Sequence, residues 1–138
     1  MRFTIPGEPQ GKGRPRVVRN GSFTKTFTPE KTATYENLVK LEFQRQCPTL
    51  WIPSAPICMN IAAYFSVPKS DSNRKRRYKI GGLIRPTKVP DTDNIAKIIA
   101  DSLNGMAYSD DSQIVCMTIE KYYAENPRVE VEIEEVEL

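Results

Sequence analysis

Pro90-Asp91-Thr92-Asp93-Asn94-Ile95-Ala96-Lys97-Ile98-Ile99-Ala100-Asp101-Ser102-Leu103-Asn104-Gly105, continued by Met106-Ala107-Tyr108-Ser109-Asp110-Asp111-Ser112-Gln113, is the stretch around which the chain is organised. At 3.6 residues per turn, Ile95, Ile98, Ile99, Ser102 and Leu103 fall within one arc. Asp93, Lys97 and Asp101 fall on the opposite side at i, i+4, i+8. The spacing therefore predicts an amphipathic helix whose polar face is a ladder of carboxylate, ammonium, carboxylate. Asn104-Gly105 ends it, and a second acidic pair, Asp110-Asp111, follows.

Residues i and i+2 of one helix point in different directions. Asp91 and Asp93 converge only if Asp91 lies at the cap or outside the helix. Pro90 biases Val89 to an extended conformation, and aspartate is a favoured N-cap type. Two carboxylates about 5 Å apart at an effective dielectric of about 20 repel by roughly 3 kcal/mol. If Asp110 or Asp111 joins them the repulsion grows, and a divalent cation relieves it. An all-oxygen acidic site suits Mg²⁺ or Mn²⁺. Taken singly, each feature has a plainer reading. Acids in a first turn cap a helix and complement its dipole, Asp-Asp before a strand makes a turn, and Lys97 pairs with Asp93.

The combination is rarer than its parts. Asp91-x-Asp93-Asn94-x-x-Lys97-x-x-x-Asp101-x-Leu103-Asn104-Gly105, followed by Asp110-Asp111-x-Gln113-Ile114, resembles the RusA family of Holliday-junction resolvases. The clear match covers about a sixth of the chain, and the order of the flanking elements agrees with it. Members of that family are small homodimeric endonucleases of bacteria and phages or prophages that cut four-way DNA junctions with a divalent metal. The resemblance implies that Asp91, Asp93 and Asp111 hold Mg²⁺ or Mn²⁺. It also implies that Lys97 is needed for catalysis, and it leaves Asp110 as an additional acidic neighbour. The N-terminal and central loops match the family poorly.

The rest of the composition narrows the chemistry. A chain of 138 residues suits one domain, residues 1–138, with a modest core. No apolar run approaches a membrane span and no signal-peptide pattern opens the chain, so a cytoplasmic protein is expected. Cys47, Cys58 and Cys116 are widely spaced and suit neither a disulfide framework nor a zinc site; reduced core thiols are expected. There is no histidine. That excludes Ser-His hydrolases, histidine-based nucleases and His-ligated metals, and leaves metal, carboxylate or lysine to activate water. Residues 1–90 carry 17 Lys or Arg against 5 Asp or Glu, and residues 91–138 carry 3 against 12. Such asymmetry points to a polyanionic partner, and an acidic site that must approach phosphates needs cations beside it.

Along the chain, Arg2 to Ile5 reads as a strand and residues 6–15 as a Gly/Pro-rich loop. Asn20-Gly21 between Val17-Val18-Arg19 and Ser22-Phe23-Thr24 reads as a hairpin turn. Lys12, Arg14, Arg16, Arg19 and Lys25 then form a basic ribbon for phosphates. Thr28-Pro29-Glu30 reads as a helix entry with Thr28 as N-cap, the helix running to about Gln46 with Tyr35, Leu38, Val39, Glu42 and Phe43 inward. Residues 56–67 alternate as a long strand. Residues 68–88 read as a basic loop carrying Arg74, Lys75, Arg76, Arg77, Arg85 and Lys88, a flap beside the acids that grips DNA. Residues 113–124 and 128–136 read as two further strands, the last with a wet glutamate face.

The expected fold is α+β: one mixed or antiparallel sheet of four to six strands with two main helices packed on it. The expected function is a divalent-metal-dependent, structure-selective endodeoxyribonuclease acting on Holliday junctions or related branched DNA. Its partners are DNA and a second copy of itself, with no membrane. The alternative is a non-catalytic branched-DNA-binding accessory protein that keeps the basic loops and uses the acids as caps. A different Mg²⁺ phosphotransferase is disfavoured because no P-loop is present.

Overall fold

The computed structural model describes residues 1–13, 16–27 and 29–137, with the backbone alone at 16–18, 20 and 23–27. Arg14 and Thr28, expected as a DNA contact and a helix cap, lie outside the described residues, as do the Arg16 and Lys25 side chains. The strands are β1 (Arg2–Pro6), β2 (Arg16–Asn20), β3 (Phe23–Phe27), β4 (Ile57–Ser66), β5 (Ile114–Ala124) and β6 (Arg128–Glu135). The helices are α1 (Glu30–Gln46), α2 (Asn73–Ile80) and α3 (Thr92–Ser102). A single 3₁₀ turn, Asp111–Gln113, leads into β5.

The main sheet has the order β1-β6-β4-β5. β4 and β5 run parallel, while β6 is antiparallel to both β1 and β4. The α+β expectation is met with a mixed sheet. Period-two alternation decides which face is covered: Ile57, Met59, Ile61, Ala63 and Phe65 of β4 point under the helices, with Val129, Val131 and Ile133 of β6 and Phe3 and Ile5 of β1. α1 packs on β1 and on α3, setting Tyr35, Val39 and Phe43 against this face. The Phe3 and Phe43 rings meet edge to face at 5.5 Å.

α3 is the crossover between the parallel strands β4 and β5, so it runs antiparallel to them. Its apolar arc is the one the 3.6 period gives: Ile95, Ile98, Ile99, Ser102 and Leu103 are all buried. Burying three isoleucines contributes about 6 kcal/mol, an upper figure because unfolded chains also cover apolar surface. Ser102 Oγ turns back to donate to the Ile98 carbonyl at 2.5 Å, and Tyr108 Oη donates to the Ala100 carbonyl at 2.6 Å. Gly105, at φ +75°, reverses the chain in the left-handed region.

Three details differ from expectation. The two-residue hairpin turn is Gly21-Ser22 rather than Asn20-Gly21, since Asn20 pairs with Phe23; Gly21 takes φ +64°. Pro29 occupies the N-cap position of α1, and the helix begins at Glu30. The basic stretch 68–88 is not all loop: α2 lies inside it, capped by Ser72, whose side chain accepts from Lys75 N at 3.2 Å. α2 packs on β5 with Lys79 over the Tyr123 ring at 4.8 Å, and a buried ion pair, Lys79 Nζ to Asp71 Oδ2 at 2.5 Å, ties the helix to the turn before it. The pair is close but off the hydrogen-bond axis of Asp71 Oδ2.

Candidate active site

The polar face of α3 is laid out as its sequence requires. Asp91 is at the N-cap position, extended at φ −70° and ψ 157°, yet its side chain caps nothing. Its carboxylate is therefore not consumed by the helix. Asp93 follows in the first turn, then Lys97, then Asp101. Lys97 Nζ lies 3.7 Å from Asp101 Oδ2, so the lysine pairs toward the C-terminal acid.

The N-terminal loop closes over this face. Lys12 N donates to the Asn94 carbonyl at 3.2 Å, and Gly13 N donates to Thr32 Oγ1 at 3.0 Å. A Cβ on Gly11 would stand 2.9 Å from Pro90 Cβ and 3.1 Å from Asn94 Cβ, so only glycine allows the loop this close. The approach delivers Lys12 Nζ to Glu36 Oε2 at 3.3 Å and to Asp101 Oδ2 at 3.5 Å. Lys12, expected on a DNA-gripping ribbon, is thus part of the acidic face. A groove at the mouth of α3 is lined by Glu8, Lys12, Lys31, Lys88, Asp91 and Asn94.

The second acidic pair is held by Gln113. Its side-chain oxygen accepts from Ser109 N at 2.9 Å and Asp110 N at 3.1 Å. Its amide donates to the Ile52 carbonyl at 2.8 Å and the Ala55 carbonyl at 3.1 Å. Asp110 caps the 3₁₀ turn by accepting from Ser112 N at 3.3 Å; the Ser112 hydroxyl first, and then that amide, hold its carboxyl below the usual range. Asp111 faces Asp101. Burial, then the hydrogen bond and charge of Asp101, then Asp110, push the Asp111 carboxyl above its ordinary value. Buried Tyr108 lies beside all three, its phenol raised by burial and then by Asp111, Asp101 and Asp110.

Two acidic places result. Asp91 and Asp93 sit at the mouth of α3, and Asp101, Asp110 and Asp111 sit at its far end. Eight residues of helix put about 12 Å between Asp93 and Asp101, whereas Mg²⁺ binds oxygen at about 2.1 Å. Within one chain, then, Asp111 is beside Asp101 and not beside Asp91 and Asp93. Among the described residues no three His, Cys, Asp or Glu side chains gather closely enough to hold an ion. The donor chemistry suits a hard cation, being all oxygen with crowded carboxylates. The three-carboxylate set for one ion is not assembled in a single chain.

The basic residues separate into engaged and free. Arg85 Nε donates to the Lys121 carbonyl at 2.6 Å, and its guanidinium reaches Glu120 at 3.3 Å and lies 4.0 Å from the Tyr122 ring centre. Its hydrogen bonds are spent on β5 rather than left for DNA. Arg74 stacks on Tyr78 and Arg76 approaches Glu125 at 3.8 Å. Arg19, Lys75, Arg77 and Lys88 are exposed, and among the described residues none forms an ion pair, though the Lys88 ammonium lies over the Phe65 ring at 5.6 Å. Sequence reasoning gave Asp101 no role beyond the helical ladder and missed Lys31, which sits in the first turn of α1. Only the long-range packing of α1 beside α3 brings Lys31 to the groove.

No helix among the described residues is long and apolar enough to cross a membrane. The sequence model of a family described as "Endodeoxyribonuclease RusA" matches residues 6–134 of the chain. An uncharacterized protein, YqaN, of Bacillus subtilis (strain 168) is 41% identical over 139 residues, which span 99% of this chain and 96% of that protein.

Proposed function

Because the chain belongs to the RusA endodeoxyribonuclease family, we propose that it is a divalent-metal-dependent endonuclease that resolves Holliday junctions or related branched DNA as a homodimer. The observation that carries this reading is the family match across nearly the whole chain, with the Asp91 side chain left uncommitted at the N-cap of α3.

Asp91, Asp93 and Asp111 are the proposed ligands of Mg²⁺ or Mn²⁺. A bound ion would supply Lewis acidity and an activated water. Since one chain leaves Asp111 at the far end of α3, we propose that two copies share their acids: Asp91 and Asp93 of one meet Asp111 of the other. Lys97, more than half exposed, is the proposed cation for charge developing on the scissile phosphate. Asp101 holds Lys97 and Lys12 on the acidic face by ion pairing. Lys31 and Lys88 line the groove in which a phosphate backbone approaches Asp91, and Lys75, Arg77 and Arg19 extend the positive surface.

The test is incubation of labelled four-way junctions with the protein and Mg²⁺, with Asp93→Asn as control. Symmetric nicks that vanish with EDTA and in the variant are expected. Junctions that are bound but intact over a wide range of protein and metal would sink the nuclease reading in favour of a binding module.

A further inference from the structure

Away from the acids, β4 and β5 bring two cysteines together. Cys58 pairs with Cys116 in the register of the parallel strands, on the sheet face away from the helices. This register is not the simple continuation of Ile57 opposite Ile114. A bulge leaves Val115 without a partner, 64% exposed, and sets Cys116 opposite Cys58. Without the extra residue Cys58 would face Val115. Adjacent strands lie about 4.8 Å apart, within the Cα separation of about 4.4–6.8 Å that a disulfide spans. The two cysteines face each other across the strand pair; Cys116, then burial, then Glu134 and Glu132 raise the Cys58 thiol. Cys116 is exposed, Cys58 opens to a groove beside Trp51 and Glu134, and Cys47 is buried at 1%.

We propose that Cys58 and Cys116 form a reversible redox dithiol, closed to a disulfide by a peroxide. The more exposed Cys116 sulfur attacks one peroxide oxygen, and its proton passes to the other. The O–O bond breaks, an S–O bond forms, and the leaving oxygen departs as water. Cys58 sulfur then attacks Cys116 sulfur, the S–O bond breaks, and the second oxygen leaves as water. Two thiols lose two electrons, and their two hydrogens leave in the two waters. The bond joins the heads of β4 and β5 one turn from Asp111. It therefore ties the acidic turn to the sheet centre through a link that a thiol reductant reopens. The proposal does not depend on the nuclease reading.

The test treats the full-length reduced protein with hydrogen peroxide, blocks remaining thiols with N-ethylmaleimide after unfolding, and maps peptides without reduction. The expected result is a chain lighter by two hydrogens, a peptide linking Cys58 to Cys116, and a blocked Cys47. Dithiothreitol should restore three blockable thiols, and the melting temperature should rise on oxidation and fall back on reduction. Cys58→Ser and Cys116→Ser should each abolish the link. The wild-type peptide map decides the matter whether or not those variants fold. Separate sulfinic or sulfonic acids at the two positions, a bond between two chains through Cys116, or untouched thiols at peroxide levels that oxidise free cysteine would each overturn the proposal.

Discussion

If two copies share their acids, activity lost in two variants returns when they are combined. Asp93→Asn and Asp111→Asn, each as a pure homodimer, should fail to cut junctions because every site lacks one ligand. In a heterodimer of the two, both defects fall in one shared site and the other site is intact. Nicking should then recover to about half the wild-type rate, one site of two. The geometry sets the stakes: about 12 Å of helix separates Asp93 from the acid that Asp111 touches, several times what one ion spans. Were each site built within one chain, both sites of the heterodimer would be defective. The assay is co-expression with two different tags, tandem purification, and single-strand nicking of a labelled junction. A purified heterodimer as inactive as its parents refutes the sharing, and a protein that elutes as a monomer refutes the dimer itself.

Asp111→Asn should also stabilise the protein without metal. Its carboxyl is raised in the fold, so the penalty is absent in acid, where the group is protonated folded or unfolded. The penalty grows as pH rises through the raised value, so the variant should melt higher at neutral pH, by about 1 kcal/mol, and not at pH 3; an unchanged neutral melting temperature counts against the crowding. Lys79→Met leaves Asp71 buried without its partner and should cost about 3 kcal/mol in urea unfolding; a cost below 1 kcal/mol would show the pair to be solvated. Tyr35→Phe should be neutral or stabilising by up to about 1 kcal/mol, since the buried Tyr35 hydroxyl has no partner among the described residues. Gly11→Ala should displace the loop carrying Lys12, costing about 1–3 kcal/mol and weakening junction cleavage; wild-type stability and activity would mean the loop yields freely.

The parts of this fold that a sequence discloses are those where local pattern and burial coincide. α3 was legible because its apolar arc and acid ladder obey one period, and β4 because ten residues alternate without interruption. α2 was not, because its exposed residues are polar nearly all round and no periodicity marks it; only Ser72 and Gly81-Gly82 hint at its ends. The site was legible as a list of residues but not as an arrangement. Asp111 looked like a partner of Asp91 because both are acids in one motif. The crossover from β4 to β5 runs α3 the other way, so Asp111 returns to the end of the helix that carries Asp101. Lys12 and Lys31 reach the acids through packing between segments distant in the chain, and spacing carries no record of that.

On the sheet face away from the helices, Arg128, Tyr64, Tyr122 and Arg85 stack in a row, with ring-to-guanidinium distances of 4.0 Å at each end and 5.4 Å between rings. Arg85 belongs to the segment that leads into Asp91, and the Lys121 ammonium grips the Lys88 carbonyl of the same segment. The segment entering Asp91 is thus moored to β5 from both faces, by Arg85 on the face away from the helices and by Lys121 on the helix side. A leash of five residues between Arg85 and Asp91 gives the entering backbone little room to wander before DNA arrives. Most of the ordering entropy that a free basic flap would lose on binding has already been surrendered in folding.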